Sequence, residues 1–363
     1  MLYPNSMDRL GLPVTTLVGK GKVCIVMRTK NRPVLLARAL SSVLAQRYQN
    51  WHLYLVNDAG ESVIPLVNQY LGSFKNRLSL ITKHTSEGME AASNTALREA
   101  LFFNINKRNY EFVCVHDDDD SWHPAFLEEM VAFLNKETKY VAAVSKHQLV
   151  YERVHNDLVF EESRTKGFTP DLILLRDMLK CNQFPPICLL IRVHAASQIG
   201  MFNEQLPVLG DWDYNIRLMM EGDIGVLTKE LAYYHHRRSA KDSYGNTVQA
   251  GVDKHTLYTA LYGNSMLRSL LQEHPGYAGL VHAMEYCAHE GLKIIQYEFN
   301  RLDTKIRDEN LEMREHIREL DVHQDVIIHQ LRQLTEKVSM LADKMDKRKS
   351  ILQRLTFWRK QCE

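Results

Sequence analysis

Residues 23–60 read VCIVMRTKNRPVLLARALSSVLAQRYQNWHLYLVNDAG, and the change of period inside this stretch decides the fold. Val23 to Met27 is a short apolar run rich in β-branched residues, the pattern of a buried strand. Polar residues and Pro33 interrupt it, and from Val34 to Leu44 the apolar positions return at helical spacing. Trp51 to Val56 is strand-like again. A strand, a helix and a second strand in such close succession form a βαβ unit, whose two strands run parallel because the helix carries the chain back across the sheet.

The rhythm persists outward from this unit. Val63 to Leu71 is helical, Leu78 to Ile81 a strand, Ala91 to Phe103 helical, Phe112 to Val115 a strand and Phe126 to Leu134 helical. This alternation predicts an α/β domain with a mostly parallel sheet and a ligand site at the carboxyl ends of its strands. Past Tyr140 the pattern loosens. Strands are expected around Val141 to Val150 and Ile187 to Arg192, a turn at Gly167 to Pro170, and short helices from about His194 and Asp211; this half is read as the acceptor side.

After about Thr256 the pattern is helical, interrupted at Pro275 and Gly276. From Asn310 a heptad runs with Asn310, Ile317, Gln324, Leu331, Val338, Met345 and Leu352 at a, and Met313, Leu320, Ile327, Leu334, Leu341, Arg348 and Leu355 at d. Eleven of these 14 are apolar, so the seam is that of a coiled coil. An amphipathic helix folded back on its own domain is the alternative. The expected divisions are an N-terminal extension (1–21), a catalytic domain (22–250), a helical linker packed on it (251–300) and a coiled-coil helix with a basic amphipathic end (301–363).

Composition excludes several classes of function. The 363 residues are 45% hydrophobic and 25% charged, a globular balance, and 45 Lys plus Arg against 44 Asp plus Glu leave a formal charge of +1, without the bias of a nucleic-acid binder. The longest aliphatic run, Ile187 to Ile191, is far shorter than the roughly 20 residues that span a bilayer. Met1 to Gly21 has no apolar core of a secretory signal, so a cytoplasmic location is expected. The six cysteines include no C-x-x-C pair and read as reduced thiols, neither a disulfide framework nor a zinc site.

The strongest chemical feature is Val113-Cys114-Val115-His116-Asp117-Asp118-Asp119-Asp120-Ser121-Trp122-His123-Pro124. Four consecutive carboxylates behind a buried strand repel one another unless a cation gathers them. Hard oxygen donors of this kind suit magnesium or manganese, which take further ligands from substrate phosphates. The competing reading is a solvated acidic turn in which Asp120 or Ser121 caps the helix at Pro124.

Together the motifs resemble family 2 glycosyltransferases of the glycosyltransferase-A fold. The resemblance rests on the 23–60 stretch with its S-V-x-x-Q and closing Asn57-Asp58-Ala59-Gly60, on Gly88-Met89-Glu90-Ala91-Ala92-Ser93-Asn94, on the four aspartates, and on Leu209-Gly210-Asp211-Trp212-Asp213-Tyr214-Asn215-Ile216-Arg217-Leu218. It covers residues 22 to 240 and implies a Rossmann-like α/β domain, here followed by the all-helical extension. It further implies an inverting transfer of a sugar from a nucleotide donor, of the uridine-linked kind, to a hydroxyl of a cell-surface glycan or lipid-linked acceptor. By resemblance Thr29, Asp58 and Asp117 bind the donor and Asp119 binds a divalent metal, with Asp118 or Asp120 as alternatives. Asp211 is the general base, with Asp213 as runner-up, and His235 a further metal ligand, with His236 as runner-up. The chain departs from the family pattern at Asn57, where an aspartate is usual, at Ser93, where an arginine is usual, and at Gly210, where a glutamate is usual.

Those departures favour a second hypothesis, a catalytically degenerate glycan-binding coiled-coil scaffold; a nucleotidyltransferase is a third, against which stands the lack of a glycine-rich phosphate loop near the first strand. In the tail, Lys347 to Lys360 holds six basic residues and no acidic one, interleaved with Ile351, Leu352, Leu355, Phe357 and Trp358. Such a segment suits an anionic membrane surface, or is the solvated end of the coiled coil. The expected partners are therefore the donor, the acceptor, further copies of the chain through the tail, and the inner face of the plasma membrane as a peripheral site, with no nucleic acid.

Overall fold

The computed structural model describes residues 21–102, 109–155, 158–237, 245 and 252–361, with 349–361 as helix backbone alone. The expected N-terminal extension up to residue 20, residues 238–241 of the cationic stretch Arg237-Arg238-Ser239-Ala240-Lys241 that follows the two histidines, and the side chains of the basic end beyond Arg348 lie outside the described residues. The chain divides into two compact units, one through Met266 and one from Leu267.

The first unit is built on the predicted alternation. Strand β1 (Lys22–Thr29) leads into helix α1 (Pro33–Leu44), β2 (Trp51–Asn57), α2 (Ile64–Phe74), β3 (Leu78–Thr82), α3 (Met89–Leu97) and β4 (Tyr110–Val115). β2 and β4 flank β1 in parallel and β3 lies parallel beyond β2. Val23 to Met27 is wholly buried, as is all of β2, which is why these strands read as continuous apolar runs. Pro33 sits in the first turn of α1, where its missing N–H costs nothing.

Beyond β4 the sheet becomes mixed. The two-residue β5 (Ser121–Trp122), α4 (Phe126–Lys136), β6 (Ala142–His155), β7 (Leu158–Lys166), α5 (Leu175–Met178), β8 (Leu189–Arg192), α6 (Val193–Ile199), α7 (Gly210–Glu221) and β9 (Ile224–His236) follow. The strand order is β3-β2-β1-β4-β8-β6-β9-β5, with β7 paired to β6. β8 is antiparallel to both β4 and β6, whereas β6 and β9 run parallel through two register shifts at Ser145 to His147. The sheet is thus parallel in its first four strands and mixed in the rest.

Two local differences from the sequence pattern have physical causes. The strand expected from Ile187 begins at Leu189, because Pro185 and Pro186 lead into a single 3-10 turn over Pro186–Cys188. β7, LVFEESRTK, shows little apolar pattern because its second half faces water, and its pairing with β6 is what makes it a strand. His235 and His236 are the last two residues of β9.

Helix α8 (Val252–Glu273) starts in the first unit, where Tyr262 and Met266 pack against the core, and ends in the second. α9 (Ala278–Gln361) is one helix of 84 residues, about 125 Å long at 1.5 Å per residue. Within it, Met313, Ile317, Leu320, Ile327, Leu331, Leu334, Val338, Leu341 and Met345 are each more than half exposed. Among the described residues no helix is long and apolar enough to cross a membrane.

Candidate active site

The carboxyl ends of β1, β2 and β4 meet at one place. Because β1 pairs with β2 on one side and β4 on the other, the connections leaving these strands diverge and open a crevice there. It holds a cavity of about 560 Å³ whose walls include Thr29, Asp58, Asp117, Asp118, Asp119 and Asp211. A second cavity, of about 420 Å³, adjoins it on the side of α7 and α8. Pro186, Leu209, Asp211, Tyr234 and His255 line both.

Arginines answer the four aspartates. Asp117 pairs with Arg28 at 2.9 Å. Asp118 accepts the Thr29 hydroxyl at 2.6 Å and lies 3.5 Å from Arg32. Asp119 receives Arg32 at 3.3 Å and Arg237 more closely, and its carbonyl accepts from Arg38. Asp120 accepts the backbone N–H of His235 at 2.9 Å through Oδ1, while Oδ2 is buried without a hydrogen-bond partner. Burial raises Asp117, and it lifts Asp118 to about 7 against the pull of Arg32. Asp120 is pushed well up by burial and by Asp119. In Asp119 burial works upward too, but Arg237 and Arg32 outweigh it and hold the carboxyl below its ordinary value.

The residues at the end of β2 are held by short loops. Asp58 accepts the Ser86 hydroxyl at 2.7 Å and the N–H groups of Glu87 and Gly88 at 3.2 and 3.3 Å, so it ties the turn before α3 to the end of β2. Gly88 has φ +100°, which a side chain would strain. Asn57 donates to the carbonyls of Gly60 and Glu61 at 3.2 and 2.9 Å. An aspartate has no N–H to give these carbonyls, which accounts for the asparagine here.

Asp211 stands at the wall common to both cavities. Its Oδ2 accepts from Asn182 at 2.7 Å and its Oδ1 from the N–H of Trp212 at 2.9 Å. Burial raises its carboxyl, with the Trp212 N–H opposing and Asp117 adding to the rise. Leu209, immediately before α7, has φ +71°, an unusual backbone for a leucine that turns the chain sharply at the cavity wall. Asp213 lies elsewhere: Arg217 at 2.6 Å and the Tyr262 hydroxyl at 2.8 Å engage its carboxylate, and it lines neither cavity.

His235 is also set back from the cavities. Its Nδ1 lies 2.6 Å from Glu152 and its Nε2 2.8 Å from the Ser121 hydroxyl. Burial and the nearby Arg38 lower its pKa to about 4, so at neutral pH the ring carries one proton, on the nitrogen facing the carboxylate, and both nitrogens are engaged. His236 lines the second cavity. Among the described residues no group of three or more His, Cys, Asp or Glu is arranged to hold a metal.

Sequence reasoning missed Glu152, which gathers the cluster, and His255. Glu152, in the middle of β6, receives Arg38 from α1, Arg237 from the end of β9 and His235. The charges are spread over residues 38 to 237, and no local motif joins them. His255, at the junction of the cavities with Nε2 buried and unpartnered, comes from a helix that reads only as linker.

Residues 24–194 match the family described as Glycosyl transferase family 2. EpsE of Bacillus subtilis (strain 168), a glycosyltransferase by name, is 31% identical over 36% of this chain and 44% of its own. The UDP-Glc:alpha-D-GlcNAc-diphosphoundecaprenol beta-1,3-glucosyltransferase WfgD of Escherichia coli is 29% identical over 31% of this chain and 41% of its own. Among solved structures, S. aureus TarS 1–349 in complex with UDP-GlcNAc is 19% identical, with a TM-score of 0.45, over 62% of this chain and 61% of its own. The match thus spans less than two thirds of each of these three proteins.

Proposed function

We propose, from the match of residues 24–194 to glycosyl transferase family 2, that the chain moves a sugar, with inversion, from a UDP-linked donor in the first cavity to a hydroxyl of a surface-glycan or lipid-linked acceptor in the second. The observation that carries this reading is Asp211, placed where the two cavities share a wall. A base that takes the proton of the attacking hydroxyl belongs between the two substrates. Asn182 orients it and is itself held by Asn215 at 3.0 Å. Asp58 contacts the nucleobase and Asp117 the ribose, with the Thr29 hydroxyl fixing Asp118 beside them. The lipid-linked acceptor of WfgD is the model for the acceptor class.

The donor set also suits a divalent cation, manganese or magnesium. Asp117, Asp118, Asp119 and Asp211 all line the first cavity and offer it the hard oxygen donors that such an ion takes. Asp119, with Asp117, would hold the ion; His235 supports the cluster from behind. When bound, the ion supplies positive charge to the departing diphosphate. Asp119→Ala is expected to abolish the manganese-dependent part of UDP-sugar affinity in calorimetry while the fold survives. Equal affinity with and without metal in the parent, or an unchanged metal effect in the variant, contradicts the assignment.

For the tail we propose a homo-oligomer through the heptad seam of α9, with parallel helices that gather the basic ends at an anionic membrane surface. The occupant of the exposed seam is a second copy of the same helix, since the apolar positions keep the 3-4 spacing of a self-complementary coil. Light scattering should give a multiple of the chain mass for the full chain and a single mass for Leu320→Glu with Ile327→Glu. Only the oligomer should float with anionic liposomes. A monomeric full chain refutes the seam, and an oligomer that stays off the liposomes refutes the membrane site.

A further inference from the structure

Two of the departures from the family pattern coincide with charges brought in from neighbouring elements. A Cβ on Gly210 would lie 2.4 Å from Oε1, 2.5 Å from Cγ and 2.8 Å from Cδ of Glu90. The Glu90 side chain, from the first turn of α3, therefore fills the space that a side chain at the head of α7 would need. Across Ser93 the same thing happens with opposite charge: Arg28, from β1, donates from Nη1 to the Ser93 hydroxyl at 2.9 Å while its Nη2 pairs with Asp117 at 2.9 Å. Glu90 and Arg28 both line the first cavity beside Asp211.

A first-turn glutamate is favourable to its own helix, since it meets the positive end of the helix dipole. That benefit needs only an acidic residue exposed to water. It leaves unexplained why the side chain lies against Gly210, where burial raises its carboxyl while Arg28 pulls it back down. The site thus has carboxylate and guanidinium beside Gly210 and Ser93, delivered from α3 and β1.

We propose that Glu90 is a substrate-contacting residue: its carboxylate, seated over Gly210, accepts hydrogen bonds from hydroxyls of the sugar being transferred. This rests on the nucleotide-sugar reading of the cavity. A carboxylate offers acceptors only, and a sugar ring presents a dense set of O–H donors. Glu90 neighbours Asp211, where the reacting carbon lies on that reading, and the nucleobase end is at Asp58. What it meets there is the sugar.

The test compares UDP with the most tightly bound member of a panel of UDP sugars, by calorimetry on the full chain. Glu90→Ala is expected to keep UDP affinity within about twofold and to lose roughly tenfold or more in UDP-sugar affinity, the scale of one hydrogen bond to a charged group. Glu90→Gln, which keeps size and fold, should lie between Glu90→Ala and the parent. Gly210→Ala should resemble Glu90→Ala, because its Cβ displaces the carboxylate, and the double variant should be no worse than either single. Unchanged UDP-sugar affinity in both Glu90 variants, or a loss shared equally by UDP and UDP sugar, overturns the proposal. A parent that binds neither UDP nor any UDP sugar overturns the reading beneath it instead.

Discussion

Asp211→Asn should lower turnover by at least about a hundredfold, the usual scale for losing general-base help, while leaving donor affinity where it was. The substitution is close to isosteric. Its side-chain oxygen still accepts the N–H of Trp212, now made at 2.9 Å, and the head of α7 keeps that bond. What disappears is the basic carboxylate on the wall between the cavities. The residual activity should also lose part of its pH dependence. Burial raises the Asp211 carboxyl, so the parent should gain activity as pH rises through that raised pKa and the base ionises, and the asparagine variant should lack this limb. Asp213→Asn is the control. Its carboxylate holds Arg217 and Tyr262 away from the cavities, so it should cost stability with turnover per folded molecule unchanged. A fast Asp211→Asn enzyme would remove the base from this wall.

The largest effect on stability is expected at Glu152. Its side chain is completely buried and joins Arg38, Arg237 and His235. Burial alone would raise its carboxyl, yet the hydrogen bond with His235 and the charge of Arg38 bring it down to about 2. A depressed carboxylate stabilises the fold above its unfolded pKa and loses that contribution as pH falls toward its folded pKa, so the effect is fully present at neutral pH. Glu152→Gln leaves two buried guanidinia without their shared counter-charge. Breaking a buried pair in this way costs about 3 to 5 kcal/mol, and at roughly 2 to 4 °C per kcal/mol for a unit of this size Tm should fall by at least about 6 °C. A variant that melts with the parent would mean the two arginines find other partners at no cost.

The sequence carried the parallel half of the fold because β1, β2 and β4 are buried on both faces and lie between helices of clear period. Thr29 closes β1, Asp58 and Asp117 come just after β2 and β4, and such strand ends, where period breaks, are what the sequence marks; the three line one cavity. The mixed half was harder to read. β7 owes its existence to pairing with β6, and pairing leaves no period in a strand whose outer half is wet. Within the site, the acidic run was visible but its pairing with Arg28, Arg32 and Arg38 was not, because these converge on it only in space. Gly210 is the sharpest case. In sequence it reads as a lost carboxylate, and only in space does Glu90 stand over it.

The central claim is that the cavity at the ends of β1, β2 and β4 binds a nucleotide sugar beside the aspartate cluster, and thermal unfolding of the full chain with a panel of nucleotide sugars, with and without manganese, tests it most directly. Ligand that binds only the folded state raises its apparent stability by about 2.7 kcal/mol at a hundred times Kd. The account predicts a rise in Tm with at least one UDP sugar, larger with manganese than without, and a smaller rise in Asp119→Ala. No shift with any nucleotide sugar at millimolar concentration, with or without the metal, would contradict it.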